Sequence, residues 1–163
     1  MAEETKVLGL DISMNSSGWA VVGVKEGVAR LVDVGTIKAN TKETHGQRLR
    51  KQRNAFEEII EKHEPHYVAR EKGFSRHIKS TQVLFKAYGV TEEFFSDYDL
   101  VEYAVATIKK NVTGNGHASK EEVEDAIRKR LKLPKDFVFK TDDESDAVGI
   151  ALTMIKQKNI GGF

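Results

Sequence analysis

The 163-residue chain has no cysteine and only two prolines. Without cysteine there is no disulfide, no thiolate zinc site and no cysteine nucleophile, which suits a reducing compartment. No apolar run approaches the roughly 20 residues that span a bilayer, so a membrane is not expected among the partners. The opening Met-Ala-Glu-Glu-Thr-Lys lacks the basic and apolar pattern of a signal peptide. Charge of one sign is also lacking: 26 Lys and Arg against 25 Asp and Glu leave a net charge of +1. Bulk charge therefore announces no nucleic-acid partner. Ser16 and Ser17 have no accompanying base, which argues against a serine nucleophile. What remains, 39% hydrophobic and 31% charged residues, is the composition of a folded domain. At this length one domain over residues 1–163 is expected.

Four carboxylates stand in apolar settings. Asp11 ends Val7-Leu8-Gly9-Leu10, Glu71 ends Tyr67-Val68-Ala69-Arg70, and Asp143 and Asp146 open the apolar stretch from Ala147 to Ile155. A carboxylate at a core edge is costly to desolvate unless its charge is compensated. Converging carboxylates repel one another, and a divalent cation is the natural compensation. Mg²⁺ takes oxygen ligands and often binds one or two carboxylates plus a phosphate. Two such ions about 3.5–4 Å apart can activate water and stabilise a leaving oxygen. Mn²⁺ accepts the same ligands. Taken singly, each acid reads as a cap or surface residue; their joint placement points to a metal-dependent nuclease. Asp143 and Asp146 share a helix face at i, i+3, as do Asp142 and Asp146 at i, i+4, and spacing does not choose between them.

Charge distribution supports this. From Arg70 to Val90 the only acid is Glu71, against Arg70, Lys72, Arg76, Lys79 and Lys86. A second basic cluster is Arg48, Arg50, Lys51 and Arg53. A basic surface beside an acidic site suits a phosphate-backbone enzyme, although charge runs also occur on solvated helices.

The hydrophobic pattern predicts strands over 6–13, 18–25 and 28–37, with Glu26-Gly27 as a hairpin turn. A helix over 44–63 carries Leu49, Phe56, Ile59, Ile60 and His63 on one stripe and ends at Glu64-Pro65. A fourth strand covers 66–71. A helix follows from near Arg76 into the 90s, with Leu84, Phe85 and Tyr88 on one face, and then a fifth strand over 99–104. Residues 111–119 read as a loop. Capping boxes at Ser119–Glu122 and Thr141–Glu144 open a helix to about Leu133 and a last helix buried against the sheet. Trp19 reads as core.

On these residues the sequence resembles the RuvC family of Holliday-junction resolvases, in the RNase H-like superfamily. The resemblance rests on Gly9-Leu10-Asp11-Ile12-Ser13 with Ser17-Gly18-Trp19-Ala20, then Glu71 with Phe74, then Tyr103-Ala104. It continues through Thr113-Gly114-Asn115-Gly116-His117-Ala118-Ser119-Lys120 and ends on Asp143-Glu144-Ser145-Asp146-Ala147 with Ile150-Ala151-Leu152. The glycine loop before a lysine-bearing helix, followed by D-x-x-D-A, is its most specific part. The chain departs where the family has Pro-Gly after the first acid and this sequence has Ile12-Ser13. That divergence would suit a phage-borne or otherwise specialised relative.

The resemblance implies an α/β, RNase H-like fold with a mixed five-stranded sheet flanked by helices, and a homodimer. It implies Asp11, Glu71, Asp143 and Asp146 as metal ligands for two Mg²⁺ ions, with D-x-x-D-A selecting Asp143 over Asp142. The product would be a nick with a 5′-phosphate. Phe74 would stack on an unpaired base of a four-way junction, which is worth about 1–3 kcal/mol. Lys109, Lys110, His117 and Lys120 surround the glycine loop. Lys120 would contact a phosphate close to the scissile bond, with Arg76, Lys79, Lys110 and His117 among the DNA contacts. The expected setting is DNA in the bacterial cytoplasm. Rival readings are a ribonuclease H on RNA–DNA hybrids, a non-catalytic junction-binding module, and half of an actin-like ATPase, for which the chain is too short.

Overall fold

The structure, a computed structural model, describes residues 3–73 and 77–161. β1 (Thr5–Asp11), β2 (Ser16–Lys25) and β3 (Val28–Lys38) form the expected meander. Its tight turn places Glu26 and Gly27 at φ 52° and 79°; two successive positive φ values match the right-handed twist of the flanking strands. α1 (His45–His63), β4 (Tyr67–Glu71), α2 (Ile78–Phe94) and β5 (Val101–Tyr103) follow, then α3 (Val105–Thr113), α4 (Lys120–Arg130) and α5 (Asp142–Gln157). The strand order is β3-β2-β1-β4-β5. β2 runs antiparallel to β1 and β3, while β4 and β5 run parallel to β1. This is the mixed five-stranded sheet expected from the sequence.

Alternation along the strands divides the core in two. Val7, Ala20, Val22, Val24 and Ala69 face α5, with Ile108 of α3 and Ile127 of α4 in the same cluster. Leu8, Leu10, Val21 and Val68 face Phe56 and Ile59 of α1 and Ala87 and Tyr88 of α2. Every residue of α5 from Ala147 to Ile155 is buried, which explains a helix apolar nearly all round. Among the described residues no helix is long and apolar enough to cross a membrane.

Several sequence expectations are corrected. Residues 111–113 belong to α3, so the glycine loop starts at Gly114. α3 has no side-chain cap and contains β-branched Val105, Thr107 and Ile108. Its Ile108 and Val112 pack into the α5 cluster, so tertiary burial rather than local propensity holds it. α4 is shorter than expected, ending at Arg130, and the fifth strand contracts to three residues. Thr141 caps α5, but Glu144 does not close the box. Its buried carboxylate instead accepts from the Lys140 amide at 2.8 Å and the Thr36 hydroxyl at 3.3 Å, tying α5 to β3. Phe85 is 56% exposed, although its ring lies 6.2 Å from that of buried Tyr88. Trp19 is only half-buried.

Candidate active site

Strand register sets the site's first pair. Leu10 of β1 lies beside Arg70 of parallel β4, so the next residues, Asp11 and Glu71, leave the sheet side by side at its carboxyl end. The second pair arrives on α5, which lies unusually close to the strands because two glycines admit it. A Cβ on Gly9 would come within 2.2 Å of the Ala147 carbonyl oxygen, and one on Gly18 within 2.0 Å of the Asp143 carbonyl oxygen. Gly18 pairs with Asp11 across β1 and β2. The backbone of Asp143 therefore sits over the strand position adjoining Asp11.

The α5 acids are then oriented locally. The Thr141 hydroxyl accepts from the Glu144 amide and fixes the helix start. The Ser16 hydroxyl donates to Asp143 Oδ2 at 2.7 Å. Asp146 lies one turn further on. Asp142, by contrast, is exposed and faces Lys120, whose Nζ lies 3.7 Å from its Oδ2. The structure thus puts Asp143, not Asp142, beside Asp11.

Proximity is visible in the electrostatics. Burial, then the charges of Glu71, Asp146 and Asp143, push the Asp11 carboxyl up to about 8. Burial raises Glu71 as well, with Asp146 adding and Lys120 and Lys109 opposing. Burial raises Asp146, and Lys120 opposes it. Among the described residues no three of these groups close into a ready-made ion cage. All the cluster's donors are hard carboxylate oxygens sharing one excess of negative charge, a set that fits Mg²⁺ or Mn²⁺ and not a soft metal.

A cavity of about 140 Å³ opens beside the cluster, between Glu71, Asp146, Lys109 and Lys120, with Ile108 and Val123 as apolar walls. Both lysines therefore face the carboxylates. The sequence does not single out Lys109 from its neighbours, because α3, which distinguishes it from exposed Lys110, has no side-chain cap to mark it. Lys110 and His117 do not line this cavity. Lys79 is exposed on the first turn of α2. Phe74 and Arg76 lie outside the described residues. Behind Glu71, the Tyr88 hydroxyl donates to its backbone carbonyl at 2.8 Å. The buried Arg70 guanidinium stacks 3.9 Å from the Tyr88 ring and reaches Glu92 and Glu102, fastening α2 to β4 and β5.

Comparison with known proteins follows the same outline. The family model of the crossover junction endodeoxyribonuclease RuvC matches residues 7–154. The protein of that name from Ehrlichia chaffeensis is 35% identical over 150 residues, covering 90% of this chain and 94% of its own. That from Rickettsia massiliae is 35% identical over 156 residues, covering 94% and 98%. Among solved structures, Thermus thermophilus RuvC in complex with a Holliday junction substrate superposes with a TM-score of 0.87. It is 26% identical, and the match covers 96% of each chain.

Proposed function

The chain belongs to the RuvC family of crossover junction endodeoxyribonucleases, and from that premise we propose that it resolves four-way DNA junctions by metal-dependent hydrolysis at Asp11, Glu71, Asp143 and Asp146. The observation that carries the site assignment is convergence. Two strand-end acids and two helix acids meet at one end of the sheet, where glycines bring α5 down onto β1 and β2. We assign the site two Mg²⁺ ions, with Mn²⁺ able to substitute. When bound, divalent cations supply an activated water and stabilise charge on the leaving oxygen.

The chain's own residues define the rest. Asp11 is central, with three acidic neighbours, and would give up its proton as cations bind. Ser16 holds Asp143 turned toward Asp11. Lys109 and Lys120, on the cavity rim, are placed to contact the backbone phosphate and offset the charge of Glu71 and Asp146. Ile108 and Val123 keep one wall dry, which strengthens these interactions. A four-way junction has approximate two-fold symmetry, so matched nicks call for two such sites, as a symmetric dimer supplies.

The test is a synthetic four-way junction labelled on one strand at a time, with linear duplex and RNA–DNA hybrid as controls. Paired nicks confined to the junction and abolished by EDTA are expected. Cutting of the hybrid instead would make the chain a ribonuclease H, and binding without cutting in either metal would make it a junction-binding protein.

A further inference from the structure

A second concavity lies away from the carboxylates. It is an open cleft of about 770 Å³ between β3 and α1, floored by Trp19, Ile37 and Ile59. Lys38, Arg50 and Lys51 stand on its rim, all exposed. Among the described residues none of the three is paired with a carboxylate. Arg53, their neighbour on the helix, differs: it is engaged with Glu57 and Glu93 and does not line the cleft.

The basic end of the cleft lies at the same end of the sheet as the carboxylates, on the α1 face rather than the α5 face. β3 runs parallel to β1, so Lys38 at its end lies at the same sheet edge as Asp11. Lys38 pairs with Ser16, the residue whose hydroxyl holds Asp143. The Lys51 ammonium donates to the Lys38 carbonyl at 2.5 Å, and Arg50 is next to it. Arg48 pins the surrounding loops by bonding Asn15 and the Glu43 carbonyl. A basic patch thus stands at the carboxylate end of the sheet, with Lys38 one strand over from Ser16 and two strands over from Asp11. Further along α1 the sign changes: Asn54 and Glu58 follow Arg50 at successive turns of about 5.4 Å, while Glu43, in the loop before α1, is the one acid at the basic end of the lining. Three cations against one acid leave that end of the cleft net positive.

We propose that this end of the β3–α1 cleft is a second phosphate site, in which Lys38, Arg50 and Lys51 hold the sugar–phosphate backbone of the DNA strand that flanks the scissile phosphate. Lys109 and Lys120 lie beside Glu71 and Asp146, on the β4 and α4 side of the carboxylates; the cleft lies on the β3 side. A backbone crossing the carboxylates would meet cations both before and after the reacting phosphate. Contacts of this kind are read as salt dependence, because each neutralised phosphate releases condensed counterions.

The inference rests on the junction-binding reading above, and the test separates the two. Binding of a fluorescent four-way junction is titrated in Ca²⁺ or EDTA across a range of salt, for the wild type, the double variant Arg50→Gln/Lys51→Gln, and Lys156→Gln at the far end of α5. Each phosphate contact contributes about 0.9 to the slope of log K against log salt. The double variant should lose about 1.8 of slope and bind at least tenfold more weakly, with unchanged Mn²⁺-induced thermal stabilisation and unchanged oligomeric state. Lys156→Gln should match the wild type. An unchanged slope in the double variant overturns the inference alone. Loss of the oligomer instead would make the cleft a protein interface and also overturn it. A wild-type protein that binds no junction overturns both this and the reading it rests on.

Discussion

Replacing Asp11 by Asn should stabilise the metal-free protein while abolishing its response to metal. Asp11 ionises near pH 8 in the folded state, against 3.8 for the ordinary carboxyl, because of burial and three acidic neighbours. Between those values the native state binds a proton that the unfolded chain does not. Stability of the metal-free wild type therefore falls as pH rises from about 4 to 8. At about 1.4 kcal/mol per pH unit, the upper bound on this cost at pH 7 is roughly 4 kcal/mol. Relaxation of the surrounding carboxylates and water entry reduce it, and about 2 kcal/mol is the working expectation, or ~5 °C in Tm for a chain this size. Asn carries no such proton and keeps Asp11's approximate shape. In EDTA at pH 7 the variant should melt about 5 °C above the wild type, with the gap closing toward pH 4. Millimolar Mg²⁺ should raise the wild type by mass action and leave the variant nearly unmoved. Thermal unfolding by circular dichroism, scanned from pH 4 to 8.5, reads all of this. A variant no more stable than the wild type in EDTA, or a gap independent of pH, would refute the claim that the four carboxylates repel one another.

Other consequences are narrower. Gly18→Ala places a methyl against the Asp143 carbonyl; it should cost about 2–4 kcal/mol in urea unfolding and eliminate cleavage by lifting α5. Ser16→Ala removes a charge-assisted hydrogen bond worth about 1.5 kcal/mol, so Mn²⁺ affinity measured by calorimetry should fall about tenfold, and Ser16→Thr should restore most of it. Lys109→Ala should slow junction cleavage in single-turnover kinetics at least tenfold, whereas Lys110→Ala should change it less than threefold, because only Lys109 lines the cavity.

The parts of the fold that could be read in the sequence are those where one physical pattern dominates. Apolar runs ending in Asp11 and Glu71 mark two strands, and their parallel pairing sets the acids at one level of the sheet. An uncapped, β-branched α3 carried no such mark, since packing against α5 stabilises it, and the choice between Lys109 and Lys110 was lost with it. Asp142 and Asp143 were likewise equivalent by spacing. The Ser16 hydrogen bond and the Gly18 contact, both across a long stretch of chain, decide between them. Glu144 looked like half of a capping box but is committed to Lys140 and Thr36, a long-range use that local motif reading does not register.

The most direct test of the central claim is cleavage of a four-way junction by Asp146→Asn beside the wild type, with binding measured on the same samples. Paired nicks by the wild type in Mg²⁺, none by the variant, and equal junction affinity are the predicted result. Undiminished cutting by Asp146→Asn would contradict the assignment of the carboxylate cluster as the active site.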